Sequence, residues 1–279
     1  IEGVAVIEMS GPLMKMASSL TGGSSTVAIG QQIRAAMNDS TVHSILLWID
    51  SPGGTVSGTQ DLADDIAAAA AVKPTVTQAE DLCASAAFWA GSQASKVFAN
   101  RTALVGSIGT YMVIEDSSGA AAMEGVKVHV VRAGDFKGTG VAGTEVTQEQ
   151  LADCQRIIDG LNSQFLQGVA TGRKLTFAQV QQLADGRIHV AAEAHKMGLI
   201  DGVQSFDATL QQMIAAGQSQ TPSKGTKKMA DETTVPAPVA PVVPAVASFA
   251  DIEAACPGCD AAFTLAQLKS SATVAQAST

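Results

Sequence analysis

Three short segments hold residue types that could do chemistry. In Leu82-Cys-Ala-Ser85-Ala-Ala-Phe-Trp89, small residues crowd one hydroxyl at an expected helix start. A hydroxyl there sits beside N-terminal amides able to hold developing negative charge. In Asp50-Ser-Pro-Gly53-Gly54, adjacent glycines permit backbone conformations closed to other residues and leave N–H groups free to face a ligand. In Gly134-Asp-Phe-Lys137-Gly138, glycines flank an amine just after an expected strand. Taken singly, the three read as a helix cap, a tight turn and a solvated loop lysine. What joins them is the order in which they occur along the chain. A serine attacks well only when a neighbouring base takes its proton, and a lysine serves as that base when desolvation keeps its amine neutral. A Ser–His–Asp arrangement would need His43, His129, His189 or His195. His129 falls in an expected strand and reads as a packed residue.

The elements that must position these residues alternate strand and helix. Strands are expected at 3–9, 43–49, 74–78, 96–99 and 126–132, and helices at 26–37, 57–71, from about 85, at 149–170 and at 177–185. The run His43-Ser-Ile-Leu-Leu-Trp-Ile49 is nearly all apolar, as in a strand buried on both faces. Alternation of this kind predicts an α/β fold with a mainly parallel sheet.

The 279 residues are 46% hydrophobic but only 4% aromatic, so Ala, Val, Ile, Leu and Met must build the core. Charged residues make up 15%, against about 25% in an average soluble domain. A net charge of −9 without a Lys/Arg-rich block argues against nucleic-acid binding. No run approaches the ~18 apolar residues of a membrane span. The four cysteines do not form a disulfide framework at this length and point to a reducing, cytosolic setting. Because the chain begins at Ile1 and not at Met, a preceding segment is expected.

Six of the nine prolines lie beyond residue 220. The run Thr234-Val-Pro-Ala-Pro-Val-Ala-Pro-Val-Val-Pro244 predicts an extended linker. The division expected is a compact domain at 1–215, a Pro/Ala/Val-rich linker at 216–247 and a short helical tail at 248–279. Cys256-Pro-Gly-Cys259 has metal or redox spacing, but one pair supplies two ligands only, and Pro257-Gly258 reads as a turn. No metal or cofactor is expected.

Ser51-Pro-Gly-Gly54, Ala84-Ser-Ala-Ala-Phe88, Val105-Gly-Ser-Ile-Gly109, the Lys137 loop and Gly198-Leu-Ile-Asp-Gly-Val203, in that order, resemble the S49 family of serine peptidases over about residues 3–203. That family includes signal peptide peptidase A proteins and phage capsid-maturation proteases. The resemblance implies a crotonase/Clp-protease-like spiral of strand–helix units. It implies Ser85 as nucleophile and Lys137 as general base, 52 residues on. Gly54 and Ala86 amides would form the oxyanion hole, with Gly53 and Ser107 binding substrate. Clp-type proteases of this fold carry a histidine about 25 residues after the serine, where this chain has Thr110. Ser85-Ala-Ala in place of Ser-Gly-Gly, and the Pro-rich linker with its Ala-rich tail, resemble the phage branch; Met229 could start a separately made scaffold. The implied function is cleavage of scaffold and capsid proteins, and of the chain itself, during procapsid maturation. It would act as a homo-oligomeric ring in the host cytoplasm, associated with procapsid or portal. The alternatives are a host-type signal peptide peptidase and a catalytically silent assembly scaffold.

Overall fold

A computed structural model describes residues 1–16 and 23–219. The Pro-rich run, Met229, Cys256 and Cys259 lie outside the described residues. In chain order the elements are β1 (Val4–Ser10), β2 (Leu13–Met14), β3 (Ser24–Ser25), α1 (Thr26–Asn38), β4 (Ser44–Ser51), α2 (Thr59–Val72), β5 (Thr75–Ala84) and α3 (Ala86–Gly91). There follow β6 (Lys96–Ala99), β7 (Leu104–Gly106), α4 (Ser118–Met123), α5 (Gln148–Arg173), α6 (Phe177–Leu183), β8 (Ile188–Val190), α7 (Ala191–Lys196), β9 (Gly202–Val203) and α8 (Phe206–Ser219).

The main sheet runs β1-β4-β5-β6-β9, every pair parallel. Strand–helix units in a parallel sheet are the α/β class read from the alternation of elements. Strand β4 is buried on both faces, as its apolar run requires. Ile45, Leu47 and Ile49 join the larger core with α1, α2 and α3, while Leu46 packs with Val4, Val76 and the Leu210, Met213 and Ile214 side chains of α8. With β4 along one edge, strand β5 divides its other edge between two neighbours: Val76–Ala79 pair with β6, and Leu82–Ala84 pair with β7. Its far half therefore projects past β6 and delivers Ser85 at the sheet's C-terminal rim. All six residues of α3 are buried, which its alanines permit at little volume. The long α5 starts with a capping box between Thr147 and Gln150 and packs Phe165 on Trp89, ring centroids 4.9 Å apart and nearly parallel.

Asp201 fastens the far end. It accepts from the Val97 N–H at 2.8 Å, from Lys96 Nζ at 3.0 Å and from Arg173 at 2.7 Å. Burial opposes its ionisation, yet these hydrogen bonds and the Arg173 charge hold its carboxyl below the usual value.

One expected strand is absent. Residues 126–132 form no ladder, and His129, expected to pack inside that strand, is exposed. A strand needs a neighbour for its N–H and C=O groups, and none of the described residues supplies one. The segment belongs to an arm, residues 107–146, joining β7 to α5. Along it Tyr111 is 87%, Met123 91% and Val131 100% exposed.

Candidate active site

Ser85 stands between the last residue of β5 and the first of α3, at φ 52° and ψ −126°. Few non-glycine residues adopt such a backbone, and strain of this kind persists where the surroundings enforce it. Here the Ser85 N–H donates to Gly106 O at 2.8 Å, and Ser85 O accepts from the Trp89 N–H at 2.9 Å. Gly53, at φ 95°, lies directly against this turn.

The Gly54 backbone is set by β2. Leu13 donates to Gly53 O at 2.8 Å and accepts from the Thr55 N–H at 2.9 Å. A residue bracketed in this way by a parallel bridge turns its own N–H to the opposite side. Any Cβ at Gly54 would fall onto Leu13 O, so only glycine fits so near β2. Ser51 steadies the same loop, donating to Gly11 O at 2.6 Å and accepting from the Gly53 N–H at 3.2 Å.

Gly54, Ser85 and Ala86 line one cleft of about 400 Å³, with Val56, Trp89, Thr110, Tyr111 and Phe165 among its other walls. Neither the Gly54 nor the Ala86 amide donates to another group among the described residues. Free amides flanking a serine hydroxyl can receive the oxygen of a tetrahedral adduct. Ser107, at φ 52° with its N–H donating to Arg187 O at 2.7 Å, lines an adjoining cleft of about 500 Å³. The two clefts share Gly109, Thr110 and Tyr111. Lys137 lines neither; it is exposed on the arm.

A family model described as peptidase family S49 matches residues 67–219, a span that includes Ser85 and Lys137. The chain belongs to peptidase family S49. It is similar to capsid assembly protease C of Escherichia phage lambda, 31% identical over 246 residues that cover 85% of this chain and 55% of that protein. It also resembles head-tail preconnector protein GP5 of Enterobacteria phage P21, at 34% over 176 residues, 61% of this chain and 34% of that one. Protease 4 of Salmonella typhi is 31% identical over 210 residues, covering 73% and 33%. The chain thus spans between a third and just over half of these relatives.

In this S49 chain no histidine lines the Ser85 cleft. His43 contacts Glu2 O and Ser44, His189 faces Glu193 at 3.3 Å, His195 contacts Ile200 O, and His129 is exposed. Thr110 does reach the cleft, but its hydroxyl donates to Ile158 O. Cys83, two residues before the serine, is wholly buried, and burial pushes its thiol up to about 12, so it supplies no thiolate. Trp89 and Phe165 were missed as site residues. Trp89 had a signal, standing one helical turn after Ser85; Phe165 had none, since α5 reaches the cleft only through tertiary packing.

Proposed function

We propose that the chain is a serine endopeptidase using a Ser85–Lys137 dyad, with the two residues supplied by neighbouring copies in a ring. Ser85 Oγ attacks the scissile carbonyl carbon while Lys137 Nζ takes the hydroxyl proton. The Gly54 and Ala86 amides hold the resulting oxyanion. Collapse breaks the C–N bond, and Lys137 returns the proton to the departing amine. Water, deprotonated in turn by Lys137, then hydrolyses the acyl-enzyme. Gly53 and Ser107 border the path of the bound peptide.

The observation that carries this reading is the convergence of a strained Ser85 with two undonated amides in one cleft. Supply of the lysine by a second copy is supported by the exposure of Lys137 and of the apolar arm that bears it, because general-base work asks for a desolvated amine. For substrate, we infer scaffold and capsid proteins of a phage procapsid, with action in the host cytoplasm. The likeness to the lambda protease takes in more of the chain than residues 1–219 contain, so it continues past α8 into the Pro-rich region; the Protease 4 match covers less. Among the described residues no helix is long and apolar enough to cross a membrane.

A fluorophosphonate probe tests the nucleophile. It should label the wild-type chain at Ser85 and leave Ser85→Ala unlabelled; wild-type protein that cleaves without taking the probe at Ser85 overturns the assignment. Co-expression with scaffold and capsid proteins, followed by mass spectrometry of the products, tests the substrate class.

A further inference from the structure

We propose that residues 126–132 of one copy add as a strand to the outer edge of β8 in a second copy, and that this pairing carries Lys137 to the second copy's cleft. The proposal deepens the shared-site reading above and rests on it.

The edge is open. Ser107 N–H donates to Arg187 O at 2.7 Å and Ala191 N–H to Ala103 O at 2.9 Å, with Val105 opposite His189 between them. In an antiparallel ladder this parity turns residues 187, 189 and 191 toward β7 and residues 188 and 190 away from it. The Ile188 N–H and C=O and the Val190 N–H therefore face outward, and β8 pairs only with β7 among the described residues. The Ile188 and Val190 side chains are 47% and 50% exposed.

The arm carries the complement. Val126, Val128 and Val130 alternate with Lys127 and His129, the period-2 pattern of a strand, and are exposed without a ladder partner. An unpaired apolar edge and an unpaired β-branched strand are each costly, and joining them satisfies both sets of backbone groups and builds cross-strand apolar pairs. Every copy offers one of each, so the contact is head-to-tail and repeats around a ring. Charge agrees at one end: antiparallel pairing brings Lys127 toward exposed Glu193, which follows β8, while Arg132 falls at the end where Arg187 is paired with Asp185.

Direction and reach also agree. A strand antiparallel to β8 runs in the sense of β7 and so leaves at the end where Gly106 meets Ser85. From β5 across β7 and β8 to the added strand is three spacings of about 4.8 Å, or roughly 14 Å. The five residues from Arg132 to Lys137 extend up to ~17 Å, and Gly134 at φ 93° gives the turn inward.

Cysteine pairing in the full chain tests the contact, with Cys154, Cys256 and Cys259 replaced by Ser and the buried Cys83 kept. Chains carrying Val126→Cys, Val128→Cys or Val130→Cys are mixed with chains carrying Ile188→Cys or Val190→Cys and oxidised. The expected result is an inter-chain disulfide for at least one valine position and none for Lys127→Cys or His129→Cys, which leave by the other face. In parallel, Val190→Pro removes an outward N–H at a residue whose φ of −64° already suits proline. That variant should keep its far-ultraviolet circular dichroism, lose its assembly on light scattering and lose at least about tenfold in activity. No disulfide at any pairing, or a Val190→Pro chain that assembles and cleaves normally, overturns the docking. Disulfides together with a fully active Lys137→Ala chain would leave the docking intact and discard the lysine; a dead Lys137→Ala chain with no disulfides would do the reverse.

Discussion

Gly53 passes close against Ser85: a Cβ on Gly53 would lie 2.6 Å from the Ser85 Cβ and 2.8 Å from the Ala86 nitrogen. The glycine is also at φ 95°, where a side chain is strained whatever the space. Gly53→Ala should therefore move the proposed nucleophile and the neighbouring amide together. We expect kcat/KM to fall about 10²-fold or more, as misplacements of about 1 Å do, with a stability loss of roughly 1–3 kcal/mol on denaturant melts. An alanine variant of near-normal activity would mean that Ser85 tolerates repositioning.

The base is tested by substitution. Lys137→Ala should cost between about 10² and 10⁴ in kcat, the range of general acid–base catalysis, whereas His129→Ala should keep most activity. The opposite ranking in a peptide-cleavage assay would restore a histidine triad.

The stacked Trp89 and Phe165 wall the cleft. Phe165→Ala should destabilise the fold by about 3–5 kcal/mol through lost burial and the cavity left behind. In the surviving folded fraction, a peptide library should show a preference moved toward larger apolar residues beside the scissile bond. An unchanged preference would place the specificity pocket elsewhere, the adjoining Ser107 cleft being the next candidate.

Asp201 gives a pH signature separate from catalysis. Its folded carboxyl lies below the unfolded value of 3.8, so its contribution is present above that pH and is lost as pH falls through the folded value. Asp201→Asn leaves the nearly buried Arg173 guanidinium short of its anionic partner and should cost roughly 3 kcal/mol at pH 7. Its stability should then decline less steeply than wild type between neutral pH and strong acid, as measured by urea melts across that range.

Much of this fold was legible in the residues, for a physical reason. The apolar run around Leu46 admits few environments other than a strand covered on both faces, and strands of that kind require helices between them. Ser85, Gly53, Gly54 and Ala86 stand out in the sequence because each occupies a strand-to-helix junction whose backbone the small residues make possible, and the structure brings Gly54, Ser85 and Ala86 to one cleft. Phe165 was not, since its apolar spacing on α5 is the same whether it faces core or cleft. The arm misled in an instructive way: Val126 to Arg132 shows alternation fit for a strand, but alternation reports a face that needs covering and not which chain covers it. Glu80 and Asp81 interrupt the apolar pattern after residue 78, so the pattern marks a strand over 74–78 only, whereas β5 runs on through them to carry Ser85.

The shared Ser85–Lys137 site is tested most directly by mixing two inactive chains. Ser85→Ala and Lys137→Ala proteins are combined under conditions in which subunit exchange is verified by mass, and peptide cleavage is followed. With serine and lysine supplied by different copies, mixed rings contain some interfaces bearing both native residues, and part of the wild-type activity returns. Exchanged rings that remain inactive would contradict a site shared between copies.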